Sequence, residues 1–337
     1  MIRKDELKDM ARKVFEKYGL SEEISETIAD VLVHANLRGV DSHGVLRVEH
    51  YIKRMKEGGI NIAPDLKESN SSASTSTIDG DNGFGHYISK KAMESAIAKA
   101  KTEGIGAVAV KNSSHCGALS YFVSQATDEN LIGVAMTHAD KIVVPFGGSE
   151  SFFGTNPIAF GFPADKEEPV ILDFATSTVA LGKVLNAKEQ GKSIPSGWGV
   201  DEDGSDTNNP DEVAALTPFG GPKGYGLAMV VEIFTALLTG AAFGPHISKM
   251  YGDYDKNREL GHFFMVIDPD KFVAIDTFAS RLDQMIKELR EAPPAKNVER
   301  IYVPGEIEMM NVKERTVNGI PISDSIIGYL RKELNRE

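Results

Sequence analysis

The spacing of apolar residues predicts three amphipathic helices at the start of the chain. Apolar side chains recur every three or four positions over 7–18 and 24–35, as they do on one face of a helix. Gly19 and Gly39 follow these runs at the positions where helices commonly end. A third helix is predicted over 45–57.

The pattern changes after a polar segment. Residues 69–77 are rich in serine and threonine, so we place a boundary there between a helical lobe, 1–70, and a larger domain, 71–307. The segment 308–337 is expected to complete the helical lobe. In the larger domain, β-rich runs alternate with helical patterns, which indicates an α/β (α+β) fold. Strands are predicted at 106–110, 132–136, 170–172 and 263–267, and helices at 88–100, 225–239, 277–290 and 323–333.

Composition narrows the classes of function. The 337 residues carry a formal charge of −12, which repels nucleic-acid phosphates and anionic lipid surfaces. No apolar run reaches the length that crosses a bilayer. The chain has one cysteine and no apolar leader, so we expect a cytoplasmic protein with no membrane or nucleic-acid partner.

Two glycine clusters invite comparison with nucleotide-binding turns. The cluster at 80–85 lacks the G-x-G-x-x-G spacing, and the cluster at 220–226 does not match the Walker pattern. A dinucleotide site would therefore have to use other backbone N–H groups, such as those at a helix N-terminus.

A polar row is predicted at the start of the third helix. On helical geometry His43, Arg47 and Tyr51 are spaced four residues apart, with Ser42 beside them. Arg47 supplies the planar fork that matches a carboxylate. The alternative is a solvated helix face, capped by Asp41 or Ser42.

A second candidate lies in the loop at 112–117, directly after a predicted strand. His115 stands there among small residues, and imidazole is well suited to moving a proton near neutral pH. The alternative is a loop histidine that is hydrogen-bonded to a carbonyl. Cys116 is expected to be a small buried thiol and not a nucleophile. The eight histidines show no metal-ligand spacing, so no metal is expected.

A third group offers polar atoms for a dinucleotide. Asp173 ends a predicted strand, Thr176 is placed to cap a following helix, and Lys223 lies among glycines. Read singly, each of these residues is a turn, a cap or a solvated side chain.

Six motifs in order along the chain resemble the type-2 malate/L-lactate dehydrogenase family. They are Asp41-Ser42-His43-Gly44 with Arg47, the segment 112–117, Val144-Pro145-Phe146-Gly147-Gly148, Gly154-Thr155-Asn156-Pro157, Asp173-Phe174-Ala175-Thr176-Ser177 and the segment 221–226. The resemblance implies a non-Rossmann NAD(P)-binding domain with a mixed, largely antiparallel sheet, a helical lobe, and a homodimer or higher homo-oligomer. It also implies hydride transfer between a small 2-hydroxy acid and NAD, with NADP possible.

Site roles follow from the same resemblance. His115 is similar to the family's proton acceptor, His43 ranks second for that role, and Asp140 is expected to orient the site. The residues expected around the substrate are Ser42, Arg47 and Tyr51. Those expected to line the dinucleotide are Ala139, Asp173, Phe174, Ala175, Lys223, Gly305, Glu306 and Ile307.

Two alternatives stay open. The substrate is one of several acids that the family handles, including malate, L-lactate, sulfolactate and a diketo-sugar acid. Cys116 follows His115 where the family more often has an aromatic residue, which is expected to leave room beside the ring. The other alternative is a non-catalytic anion- or nucleotide-binding protein, in which His115 would be dispensable.

Overall fold

The N-terminal helices form as their apolar spacing predicts. The computed structural model describes residues 1–69 and 71–336. In it α1 spans Lys4–Lys17 and α2 spans Glu22–Leu37, and their apolar faces are buried. Gly19 and Gly39 end these helices with φ of 92° and 81°, a backbone region that favours glycine.

The third helix is shorter than predicted. Its α-helical part, α3, spans Val48–Glu57 and is preceded by two 3₁₀ turns, Asp41–His43 and Val45–Arg47. Gly44 between the turns is extended, and the Asn36 side chain accepts a hydrogen bond from the Val45 N–H at 2.9 Å. The prediction that His43 shares one helical row with Arg47 and Tyr51 is therefore wrong.

A seven-stranded sheet forms the centre of the larger domain. Its strands are β1 (Lys67–Ser69), β2 (Thr75–Asp79), β3 (Ile105–Ser113), β4 (Ile132–Thr137), β5 (Ile158–Phe162), β6 (Val170–Phe174) and β9 (Leu260–Ile267). They lie in the order β1-β2-β3-β9-β4-β5-β6. Among the described pairs of this sheet only β2 and β3 run parallel, so the predicted mixed, largely antiparallel sheet is confirmed. A separate two-stranded ribbon pairs β7 (Gly199–Val200) with β8 (Ala215–Leu216).

The polar segment at 69–77 is not simply a connection. It includes the end of β1 and the start of β2, which pairs with β3 from Thr75 against Ala107. All three residues of β1 are exposed, which explains why this sheet edge has a polar sequence.

Helices cover the sheet and return to the start of the chain. They are α4 (Gly85–Glu103), α5 (Ser120–Thr127), α6 (Leu181–Glu189), α7 (Pro222–Glu232), α8 (Ile275–Glu291), α9 (Glu306–Asn318) and α10 (Asp324–Leu334). Ile2 and Ile320 exchange backbone hydrogen bonds of 3.0 and 2.8 Å, and Leu330 of α10 is buried in the core that α1 and α2 form. The end of the chain thus packs on its first helices.

The segment predicted as a buried helix at 225–239 is buried on one side only. Helix α7 continues into a π-helical turn, Ile233–Leu237, in which Ile233 and Leu237 are exposed. The opposite side of this helical segment packs on the sheet through Val231 of α7.

In the described part of the chain, no helix combines the length and the apolar character needed to cross a bilayer.

Candidate functional site

The loop that carries His115 is fixed between a strand and two helices. Strand β3 ends at Ser113, and α5 begins at Ser120. The Gly85 N–H, at the start of α4, donates to Ser114 Oγ at 3.0 Å, and that hydroxyl donates to Gly83 O at 2.9 Å. These bonds hold the backbone on the N-terminal side of His115.

Three other side chains surround the His115 ring. His43 stacks on it with ring centroids 5.6 Å apart, although the two residues lie on separate loops. The Tyr51 hydroxyl lies 2.7 Å from His115 Nδ1 and 3.4 Å from His86 Nε2. Tyr51 was predicted to contact substrate, but it is buried and its hydroxyl bridges two histidines.

These contacts assign different tasks to the two nitrogens of His115. Its Nδ1 faces the Tyr51 hydroxyl at 2.7 Å and the Gly117 N–H at 3.3 Å, so Nε2 is left for a ligand. When Tyr51 accepts from Nδ1–H and donates to His86, Nε2 carries the free lone pair that a base needs. The Gly117 N–H favours the opposite tautomer, and the Tyr51 hydroxyl can also donate to Nδ1, so these contacts are compatible with both neutral forms of the ring.

The surroundings keep both rings neutral. Burial lowers the pKa of His115 well below its usual value, with further contributions from His43 and Arg47. Burial and Arg47 lower the pKa of His43 to about 4. Both side chains are nevertheless partly open to solvent, as expected for groups that line a cleft.

Two hydrogen bonds hold the Arg47 guanidinium and use only some of its N–H donors. Its Nε donates to the Ser42 backbone oxygen at 2.7 Å, and its Nη1 donates to the Tyr251 hydroxyl. Within the described residues Nη2 has no protein partner, so one edge of the guanidinium can still bind an anion. The Ser42 hydroxyl lies 3.0 Å from His43 Nδ1.

Asp140 is engaged by a buried arginine and not by His115. Its carboxylate accepts from Arg258 at 2.6 Å and from the Met250 N–H at 3.1 Å. The Arg258 side chain is 3% exposed, and its charge contributes to lowering the pKa of His115. Any effect of Asp140 on the site would therefore pass through Arg258.

Strand β6 connects several of the segments predicted to hold a dinucleotide. Asp173 accepts from the Ser120 N–H at 2.7 Å, which joins it to the first residue of α5. Burial raises the pKa of Asp173, although the residue keeps solvent-exposed surface. Gly305 packs on the same strand, where an added Cβ would lie 2.6 Å from Ile171 O.

The glycine-rich loop lies beside this strand end. Phe219 donates its N–H to Thr176 O at 3.0 Å, and its ring packs against Phe174 with centroids 5.8 Å apart. Lys223 follows in the first turn of α7 and is exposed. No helix begins at Thr176, contrary to the prediction: its hydroxyl donates to Thr155 O at 3.0 Å, and the next helix, α6, begins at Leu181.

The remaining predicted residues differ in what they can offer. Gly154 packs against the backbone of the half-buried Ala139, where an added Cβ would lie 2.4 Å from Ala139 O. Glu306 already pairs with Arg290 and Arg300, whereas Ile307 is exposed, as is part of Ala175. This part of the chain can therefore offer a ligand backbone groups and an apolar surface.

Two cavities border these segments. One of about 690 Å³ is lined by residues that include Pro145, Gly220 and Gly221, next to Lys223. Another of about 410 Å³ is lined by Val170, Gly305 and other residues around the start of α9. The described lining of both excludes His115 and Arg47, so the histidine cluster lies outside these two cavities.

Sequence reasoning missed His86, Tyr251 and Arg258. They stand alone in the sequence without a motif, and only the fold brings them to Tyr51, Arg47 and Asp140, so no local signal identifies them. The Cys116 thiol is 1% exposed within the sheet core, as predicted for a buried thiol. The thiol therefore packs into the core beneath the His115 loop. It does not enlarge the space around the His115 ring.

Comparison with known proteins identifies the family of this chain. The family model for malate/L-lactate dehydrogenase matches residues 2–331. A ureidoglycolate dehydrogenase (NAD(+)) of Escherichia coli is 40% identical over 312 residues, which cover 93% of this chain and 89% of that protein. A malate dehydrogenase of Pyrococcus abyssi is 38% identical and covers 99% of this chain and 94% of its own length.

Solved structures extend the similarity to three dimensions. The sulfolactate dehydrogenase of Methanocaldococcus jannaschii superimposes with a TM-score of 0.94 at 38% identity, covering 99% of this chain and 96% of that chain. The malate dehydrogenase of Entamoeba histolytica gives a TM-score of 0.93 at 32% identity, with 98% and 96% covered. The chain therefore belongs to the malate/L-lactate dehydrogenase family.

Proposed function

We propose that this chain oxidises a small 2-hydroxy acid, with His115 as the proton acceptor and NAD as the hydride acceptor. The observation that carries the proposal is the His115 ring, whose Nδ1 faces Tyr51 at 2.7 Å while Nε2 is left for a ligand. Burial keeps this imidazole neutral, as a base must be.

Each residue of the cleft has a distinct task in this reaction. The free edge of Arg47 binds the substrate carboxylate, which places the adjacent hydroxyl against His115 Nε2. His115 takes the hydroxyl proton while the carbon-bound hydrogen leaves as hydride, so the C–O bond becomes a carbonyl. His43 stacks on the ring and keeps water from one of its faces. The nicotinamide supplies the acceptor for the hydride when it is bound.

The residues at the end of β6 fit a dinucleotide. The open carboxylate of Asp173 suits ribose hydroxyls, and Lys223 at the N-terminus of α7 suits a phosphate. The turn at Gly305 brings backbone close to Ile171 of β6. Ala139 and the exposed Ile307 add apolar surface at the edges of this region.

Within the family we propose (S)-ureidoglycolate as the substrate and oxalurate as the product, a step of allantoin degradation. Support comes from the relative that is 40% identical and is named for this activity. The segment Ser193-Ile194-Pro195 with Trp198 and the run from His115 to Phe122 also resemble such enzymes. Relatives at 38% identity are named for malate and sulfolactate, so these acids are the alternatives.

A substrate panel tests the proposal. Purified protein is given ureidoglycolate, malate, L-lactate or sulfolactate with NAD⁺ or NADP⁺, and reduced dinucleotide is followed by absorbance; 2,3-diketo-L-gulonate is tested with NADH in the reverse direction. We expect the highest kcat/KM with ureidoglycolate and NAD⁺. A higher value with another acid would replace the substrate and leave the chemistry intact. Ligand binding without turnover of any acid would instead indicate a non-catalytic protein.

A further inference from the structure

Helix α9 joins two parts of the proposed site. It begins at Glu306, beside the residues proposed to hold the dinucleotide, and Arg315 lies in its last turn. At 1.5 Å per residue these positions are about 14 Å apart along the helix axis. The described residues of α9 include none that is fully buried.

Arg315 is hydrogen-bonded to the start of the loop that carries Ser42 and His43. Its Nη1 and Nη2 donate to the two carboxylate oxygens of Asp41 at 2.7 and 3.1 Å, a two-point pairing. The same guanidinium donates to the backbone oxygen of Asn36. The Arg315 side chain is 15% exposed, so the pair is partly shielded from water.

Asp41 is in turn the fixed start of that loop. The Asn36 side chain donates to Asp41 at 2.7 Å and accepts from the Val45 N–H at 2.9 Å. Gly44 packs so closely on Asn36 that an added Cβ would lie 2.2 Å from its Oδ1. A shift of Arg315 would therefore be transmitted through Asp41 to the turn that holds His43 against His115.

We propose that Asp41 and Arg315 form a positioning pair that couples dinucleotide binding at the start of α9 to the placement of the loop 41–47. This inference rests on the proposed function. Neither residue contacts the substrate in the proposed arrangement. Ordering the start of α9 would fix the helix, and the two-point pairing would pass that order to Ser42, His43 and Arg47.

Steady-state kinetics give the first test. For Arg315→Met we expect kcat/KM for the hydroxy acid to fall on the order of 10²-fold, because the reacting groups lose their alignment. The KM for NAD⁺ should change little. Arg315→Lys keeps the charge without the planar fork, so its value should lie between those of Arg315→Met and wild type. Glu314→Gln is the matched control, since Glu314 lies on the same helix, is exposed, and does not line the cavity beside Gly305.

Amide hydrogen exchange with NADH gives a readout that does not depend on turnover. In the wild type, NADH should slow exchange both in peptides from the start of α9 and in peptides covering 38–47. In Arg315→Met, whose folding is checked by thermal melting, protection should persist at α9 and be lost at 38–47. Equal protection of 38–47 in both proteins would overturn the coupling. Wild-type protection at α9 alone would also overturn it, while the proposed function would stand. Protection of neither segment would reject the proposed function as well.

Discussion

At the residue scale, the site depends on which nitrogen of His115 carries the proton. When the Tyr51 hydroxyl at 2.7 Å accepts from Nδ1–H, it favours the tautomer opposite to the one that the Gly117 N–H at 3.3 Å favours. In the proposed mechanism the buried Tyr51 hydroxyl is this acceptor, which leaves Nε2 as the base.

Tyr51→Phe should lower kcat on the order of 10²-fold, because the tautomer with Nε2 free is no longer favoured and the ring loses its anchor. KM should change little. Steady-state assays of purified variants measure both constants. Tyr18→Phe is the control, since the Tyr18 hydroxyl bonds to Glu333 far along the chain. A kcat equal to wild type in Tyr51→Phe would remove Tyr51 from this role.

Arg47→Lys should raise the KM for the hydroxy acid about 10-fold or more while kcat falls less, because an ammonium cannot present two parallel donors to a carboxylate. Lys53→Arg on the same helix, α3, is a charge-conserving control; its ammonium lies over the Tyr254 ring. An unchanged KM in Arg47→Lys would show that Arg47 does not bind the carboxylate.

At this scale the sequence identified individual residues better than their relations. The sequence points to His115, Arg47 and Ser42 because each of them belongs to a local motif with its own chemistry. The stacking of His43 on His115 and the bridge through Tyr51 depend on how two loops meet, which helical spacing does not encode. Arg258 has no local signal at all.

At the element scale, the start of α4 sets the position of the His115 loop. Gly85 is the first residue of α4, and an added Cβ there would lie 2.0 Å from Ser114 O. Only a residue without a side chain lets the helix approach the loop this closely.

Gly85→Ala should therefore destabilise the protein by about 1–3 kcal/mol, because the extra methyl group forces backbone apart. It should also reduce turnover, since the displaced backbone belongs to the residue before His115. Urea unfolding and steady-state rates check both effects. Gly182→Ala in the first turn of α6 is the matched control, because an added Cβ meets nothing there. Equal stability of the two variants would contradict the close packing.

Secondary structure could be predicted where one spacing of apolar residues dominates a segment. Helices α1, α2 and α4 bury a continuous apolar face, and their spacing revealed them. Apolar positions in the loop before α3 continue the helical spacing, and this spacing predicts a helix there. In the structure, hydrogen bonds of the Asn36 and Asp41 side chains compete with the helical conformation. Strand β5 was not predicted, since its glycine and phenylalanine positions lack a clear alternation.

At the scale of the whole molecule, buried neutral histidines link stability to pH. His86, His138 and His262 are at most 1% exposed, and burial lowers the pKa of each to about 3. The unfolded chain, with a histidine pKa near 6.5, binds more protons than the folded chain between these values. Stability is therefore fully present above pH 6.5 and falls as the pH is lowered towards 3.

Each such histidine should cost up to about 1.4 kcal/mol of unfolding free energy per pH unit below 6.5. Urea unfolding at pH 7.5 and 5.5 should show lower stability at the lower pH. His262→Gln should have a shallower dependence, because glutamine does not titrate while it can still bond to Ser113 and Thr137 as His262 does. An identical pH dependence in variant and wild type would contradict this linkage.

The overall architecture was predictable from the six ordered motifs, because together they resemble a family whose sheet is mixed and largely antiparallel. The position of the C-terminal segment depends on long-range contacts such as the pairing of Ile2 with Ile320 and the grip of Arg315 on Asp41. Local sequence patterns carry no information about those partners.

The most direct measurement is single-turnover oxidation of the best substrate by wild type and His115→Ala, both saturated with NAD⁺. The predicted result is a rate of NADH formation lowered by a factor on the order of 10² to 10⁴ in the variant, with NADH binding and thermal stability retained. A rate equal to wild type in a folded His115→Ala protein would contradict the role of His115 as the proton acceptor.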